Sequence, residues 1–140
     1  MGEYKRIERL IGEFISRHYR SVVEVGTGRN FVAARLIRDA GIPVRCTDIR
    51  PIPPEDGMTV ERDDVFSPDI GLYQGADLIY AIRPGVEMVP ALIALAERTG
   101  ADLLVYHLGN EVYGTGGEIV DCGVILHRYH SGNRTKKPKD

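Results

Sequence analysis

Apolar side chains recur at three- and four-residue steps through Ile7, Leu10, Ile11, Phe14 and Ile15, and His18 continues the same face; this predicts a one-sided helix over residues 3–19. Val22-Val23-Glu24-Val25 reads as a short buried strand ended by Gly26. A second helical pattern begins at Asn30, runs through Phe31, Ala34, Leu36 and Ile37, and is stopped by Gly41 and Pro43. Residues 44–49 alternate like a strand and lead into a stiff loop with Pro51, Pro53 and Pro54, and Met58-Thr59-Val60 predicts a third strand. Asp77 to Ile82 is a near-continuous apolar run, the mark of a strand covered on both faces. Val86, Val89, Ile93 and Ala96 supply the next helix, which accommodates Pro90 only in its first turn. A fifth strand covers residues 102–108. Glu118-Ile119-Val120 and Val124-Ile125-Leu126 then form a hairpin around Asp121-Cys122-Gly123.

This alternation predicts an α/β architecture: a three-layer, Rossmann-like open sheet, mostly parallel, with a C-terminal antiparallel β-hairpin. In such sheets ligands bind beyond the carboxyl ends of the strands, where the strand order reverses. The 140 residues suit one domain over 1–130. Residues 131–140 carry no large apolar side chain and read as a flexible basic tail.

Composition narrows the function. An apolar fraction of 43% is that of a globular chain, and the longest apolar run, Val89 to Ala96, is interrupted by Pro90, so no membrane contact is expected. The charged N-terminus does not resemble a secretory leader. Cys46 and Cys122 are too few for a disulfide framework or a metal cluster and read as reduced thiols in a cytoplasmic protein. The net charge of −2 divides into +2 over residues 1–20, −8 over 21–126 and +4 over 127–140. An acidic centre argues against a broad nucleic-acid face, while the basic termini leave room for a smaller RNA or protein contact.

The candidate chemistry begins at the first strand–helix junction, Glu24-Val25-Gly26-Thr27-Gly28-Arg29-Asn30-Phe31. Glycines two apart allow a sharp turn and the approach of a ligand to bare backbone. A dinucleotide site wants a third glycine at the sixth position, where this chain has Phe31, and Glu24 would repel a pyrophosphate. A carboxylate there suits a cationic group instead, such as the α-ammonium of S-adenosylmethionine. Asp48, 22 residues beyond Gly26, stands at the distance from which a carboxylate reaches ribose hydroxyls. In Asp63-Asp64-Val65-Phe66, one carboxylate, Asp64 in preference to Asp63, is placed to accept an adenine amino proton while the other is a loop acid in water; the next backbone N–H serves a ring nitrogen, and Phe66 flanks the ring.

These segments resemble the cofactor motifs of class I S-adenosylmethionine-dependent methyltransferases over residues 20–126, and the compact chain with Ile82-Arg83-Pro84 after its fourth strand also resembles a family of small uncharacterised archaeal proteins built on that fold. The resemblance implies a seven-stranded sheet whose last strand is antiparallel. It implies S-adenosylmethionine held by Glu24, Gly26, Thr27, Gly28, Asp48, Asp64 and Val65, and substrate near strand four. The chain departs from the pattern in two places: Asn30 replaces the usual third glycine, and only Gly109 to Gly117 separates strands five and six, leaving no room for the usual helix. The Asn/Asp-Pro-Pro-Tyr/Phe turn of enzymes that methylate exocyclic amines is replaced by Ile82-Arg83-Pro84-Gly85, which disfavours that chemistry.

Arg83 at the end of strand four either orients a substrate carboxylate or phosphate, or forms a salt bridge with Glu87 or a loop acid. His107 is either a base or a hydrogen-bonded strand end. His127 and His130 should point to opposite faces of a strand, and no metal site is expected. The functional expectations are a methyltransferase acting on a small molecule or RNA, or a non-catalytic adenosine-cofactor sensor or subunit. An NAD-binding domain is disfavoured by Phe31 and Glu24.

Overall fold

The computed structural model describes residues 3–132; the expected basic tail lies outside the described residues from 133 onward. Helix α1 spans Glu3–His18, α2 Val32–Asp39 and α3 Val89–Thr99. The strands are β1 Val22–Val25, β2 Val44–Asp48, β3 Val60–Arg62, β4 Leu78–Ile82, β5 Asp102–Tyr106, β6 Glu118–Asp121 and β7 Ile125–His130. They form one sheet in the order β3-β2-β1-β4-β5-β7-β6. β1 to β5 are parallel, and β7 runs antiparallel to both β5 and β6.

Two-residue alternation sorts the core into layers. Val22, Leu78, Tyr80, Leu104 and Leu126 turn toward α1 and α2, where they meet Ile11, Ile15 and Ile37. Their neighbours Val23, Val25, Ile79, Ala81, Leu103 and Val105 turn to the other face and pack on Leu92, Leu95 and Ala96 of α3. The architecture is therefore the expected three-layer, mostly parallel sheet with a terminal antiparallel hairpin. Pro90 sits in the first turn of α3, where its missing N–H disturbs no helical bond. The segment 107–117 contains no helix, as its length predicted.

Several boundaries differ from the sequence reading. α2 begins at Val32 rather than Asn30, because the Asn30 side-chain oxygen accepts from Val32 N and so holds Asn30 outside the helix. The third strand is Val60–Arg62 rather than residues 58–60. Met58 instead pairs with Glu55 across a tight turn, and the parallel ladder starts where Val60 meets Cys46. The fifth strand stops at Tyr106, and the last strand continues to His130.

α1 lies close on α2 at Gly12. A Cβ added there would stand 3.2 Å from Ala33 O and 3.4 Å from Leu36 Cβ. Gly12→Val should therefore force the two helices apart and lower the unfolding free energy by about 1–3 kcal/mol; urea denaturation monitored by circular dichroism measures it. Among the described residues no helix is long and apolar enough to cross a membrane.

Candidate functional site

β1 is the first strand made and lies between β2 and β4, so the strand order reverses at the β1/β4 boundary. At the carboxyl ends of these strands a crevice of about 320 Å³ opens between the turn after β1, the ends of β2 and β3, and the turn after β4. A larger open depression of about 600 Å³ lies at the opposite, amino ends of β1 and β2, away from the glycine turn.

Gly26 and Gly28 both have positive φ, 77° and 58°, which side chains adopt only with strain. A Cβ on Gly26 would meet no atom within 4 Å, so this backbone faces open space. The amides of the turn, in contrast, are all engaged. Gly26 N and Thr27 N donate to Thr47 O at 2.8 and 3.3 Å, and Gly28 N donates to Asp48 Oδ2 at 2.8 Å.

Asp48 thus ties the glycine turn to the end of β2. Its other oxygen accepts from Arg50 N at 2.9 Å and stands 3.5 Å from Arg50 Nε, on a side chain that is 71% exposed. Asp63 is committed to its own loop, where Oδ1 accepts from Asp69 N and Oδ2 from the Tyr73 hydroxyl. Asp64 accepts only from Phe66 N, through Oδ1, which leaves its second oxygen without a partner among the described residues. Val65 is buried, and Phe66, 61% exposed, stands at the rim. Of the two adjacent acids, the geometry therefore leaves Asp64 available to a ligand.

Two residues occupy places the sequence reading did not assign them. Glu24 lines no part of the crevice. Strand alternation directs Val25 toward the crevice and Glu24 to the opposite face, beside its register partners Cys46 and Tyr80. It is 3% exposed and accepts a 2.7 Å hydrogen bond from the Tyr80 hydroxyl. Burial, reinforced by the nearby Glu8 carboxylate and opposed by the Tyr80 bond, pushes its pKa up to about 8, so Glu24 holds a proton at neutral pH. Burial and the neighbouring Glu24 also push the Cys46 thiol up to about 12, which makes it inert packing.

Arg83 pairs neither with Glu87 nor with a loop acid. From the left-handed region (φ 58°) it reaches Glu8 Oε2 on α1, lies 5.3 Å over the Tyr106 ring, and donates its own N–H to Tyr106 O. Glu8 also accepts from Asn30 Nδ2, while its Oε1 is buried without a partner. The sequence reading missed Glu8, although a signal was present: it precedes Ile11 by three and Ile15 by seven, on the buried stripe of α1.

His107, at the end of β5, is 5% exposed, and its Nε2 lies 2.6 Å from the Tyr129 hydroxyl. Among the described residues no group of three or more His, Cys, Asp or Glu side chains is placed to hold a metal ion.

The crevice is lined by Asp48, Asp63, Asp64 and Glu87 against Arg50 and Arg83. With its amides engaged and its lining acidic, it favours a ligand that brings positive charge and hydroxyl or amino donors.

Comparison with solved structures finds the same fold in the sugar N-methyltransferase KedS8 of a Streptoalloteichus species, at 18% identity and a TM-score of 0.54, and in DesVI of Streptomyces venezuelae, at 14% and 0.53. Each match covers 84% of this chain but only 54% and 58% of theirs, so the chain spans little more than half the length of either protein. Among curated sequences, the UPF0146 protein of Archaeoglobus fulgidus is 38% identical over 96 residues, covering 68% of this chain and 74% of that protein. Its counterpart in Pyrococcus horikoshii is 30% identical over 126 residues, covering 85% and 96%. Residues 7–119 match the group described as Uncharacterised protein family (UPF0146), and the chain belongs to that family.

Proposed function

We propose that the chain is an S-adenosylmethionine-binding, methyltransferase-like protein with the cofactor in the crevice above Gly26, Thr27 and Gly28. The observation that carries this reading is that every amide of that turn already has an acceptor inside the protein. A diphosphate cradle works by offering free N–H groups. This turn has carbonyl oxygen left to offer, which suits an ammonium. The acid excess of the lining points the same way, and Phe31, 2% exposed and packed on Ala34, Cys46 and Met58, fills the place a dinucleotide site keeps for glycine. The negative charge comes from Asp48, Asp63, Asp64 and Glu87 rather than from the neutral Glu24.

In this reading ribose hydroxyls displace the exposed Arg50 side chain from Asp48, whose two oxygens have lone pairs beyond those used by the backbone. The unpartnered oxygen of Asp64 accepts the adenine amino proton, the amide of Val65 serves a ring nitrogen, and Phe66 covers the ring. When bound, the cofactor supplies an activated methyl on a sulfonium, so the protein's part is alignment and exclusion of water.

Isothermal titration with S-adenosylmethionine, S-adenosylhomocysteine and NAD tests the assignment. The first two should bind and NAD should not, and Asp64→Ala should weaken binding by about tenfold, one charged hydrogen bond, with the unfolding midpoint nearly unchanged. NAD binding as tightly as the adenosyl ligands would overturn it.

One observation favours a binding protein without transfer activity: Arg83, the residue expected to orient a substrate, is committed to Glu8. Incubation with labelled methyl donor and native extract separates the two, because a sensor or subunit leaves every acceptor pool unlabelled.

A further inference from the structure

At β1, β4 and β5 the sheet is packed on both faces, but the β6–β7 hairpin is closed on one face only. Val120, Val124 and Leu126 turn toward α1 and join its core. Register sets Ile119 opposite His127 and Asp121 opposite Ile125, so these four share the other face. α3 packs on that face at β4, β5 and the Tyr129 end of β7. It leaves Ile119 and Ile125 56% and 44% exposed.

The segment 107–117 crosses the same face without forming a helix. It brings Val112 beside Gly116, whose carbonyl lies against the His127 ring, and sets Tyr113 edge-on to Tyr129. Val112, Tyr113, Ile119 and Ile125, all exposed, therefore make one apolar strip around His127. The solvated face of an antiparallel pair is normally polar, so two isoleucines on a diagonal depart from that rule. Two strands about 4.8 Å apart present a strip about 10 Å wide, the diameter of one α-helix.

The charge around the strip has one sign. Residues 99–127 contain four acids and no Lys or Arg. Two of these acids belong to the open face. Asp121 is exposed beside Ile125, and Glu111 borders the hollow shared by Val112, Ile125 and His127. Glu118 lies on the α1 side instead, 2.9 Å from Arg128. A symmetric second copy would set Glu111 and Asp121 against themselves. The chain's own end is no better matched. Residues 133–140 carry no large apolar side chain, and Gly132 before them is bonded to Asp102 at the amino end of β5.

We propose that this strip docks one basic amphipathic helix of a partner protein. Its apolar side chains, at i, i+3, i+4 and i+7, cover Val112, Tyr113, Ile119 and Ile125, and its Lys or Arg side chains face Glu111 and Asp121. The partner helix closes this face of the hairpin as α1 closes the other. The strip is separate from the crevice after β1, and the proposal holds whatever that crevice binds.

Amide spectra of the nitrogen-15-labelled full chain test it with two peptides of about 14 residues, long enough for four helical turns. One is built of Leu and Lys with Leu at helical spacing, and in the other every Lys is Glu. The Lys peptide should move the Val112, Tyr113, Ile119 and Ile125 amides, and the Glu peptide should not. Ile119→Ser should weaken the Lys peptide about tenfold and leave the unfolding midpoint unchanged, since that side chain is exposed. Asp121→Asn, which keeps the acceptor for Gly123 N, should weaken it about threefold, and added salt should erase the difference. Shifts centred away from the strip, equal binding of the Glu peptide, or no shift up to about 1 mM peptide overturns the proposal. So does a dimer in sedimentation velocity that Ile119→Ser dissolves, because the occupant is then a second copy.

Discussion

Arg83→Met should lower the unfolding free energy by about 3 kcal/mol, because it leaves the Glu8 carboxylate inside the protein without its counter-charge. Glu8 is 2% exposed at its side chain and already has one oxygen unpartnered, so Asn30 Nδ2 would be its remaining contact. The figure stands at the low end for a broken buried pair because the Arg83 side chain is 26% exposed and water reaches its site. The double variant Glu8→Gln, Arg83→Met removes the stranded charge and keeps an acceptor for Asn30, and should recover most of the loss. Denaturant melts of the four proteins of this cycle measure the coupling. A single Arg83→Met variant within about 1 kcal/mol of the parent would show that the pair contributes little. Arg83→Gly adds a control, since glycine relieves the left-handed backbone while removing the same charge.

Glu24 should make the protein less stable as pH rises. Its ordinary pKa of 4.5 is lifted to about 8 in the fold. Between these values the folded chain holds a proton that the unfolded chain has released, so the unfolded state binds fewer protons and stability falls with increasing pH. The stabilisation is fully present below 4.5, declines through the window, and is gone above 8. At about 1.4 kcal/mol per unit the full window is on the order of 5 kcal/mol. Glu24→Gln keeps an acceptor for the Tyr80 hydroxyl and has no proton to lose, so it should flatten the dependence and be the more stable protein at alkaline pH. Urea midpoints at about pH 5, 7 and 9 for both proteins decide this. Parallel slopes in the two would show that Glu24 does not titrate in this range.

Much of the architecture was legible because each strand carries its own signature. Leu78 to Ile82 is apolar on both faces, and the structure buries it on both faces; Pro90 fits only a first turn, and α3 begins one residue before it. The boundaries that moved are those set by single polar contacts. Asn30 holds itself out of α2 with its own side chain, and the Glu55–Met58 turn delays β3. The site was legible to the extent that a residue's role depends on its strand end. Asp48 and Asp64 line the crevice from the ends of their strands, as read. Glu24 and Arg83 do not follow that rule. One residue of register turns Glu24 to the other face of the sheet, and a left-handed backbone swings Arg83 back to α1. Their partners, Tyr80 and Glu8, lie 56 and 75 residues away, a separation over which local pattern carries no information.

The placement of β7 between β5 and β6 bears on how the molecule is made. As the chain leaves the ribosome, the outer rim of β5 has no neighbour, and β6 emerges before β7, the one strand it pairs with among the described residues. Both wait for Ile125–His130, the last strand of the sheet. Synthesis therefore passes through a stage in which an unpaired rim is open to other chains, and a product cut short before residue 125 retains that hazard permanently.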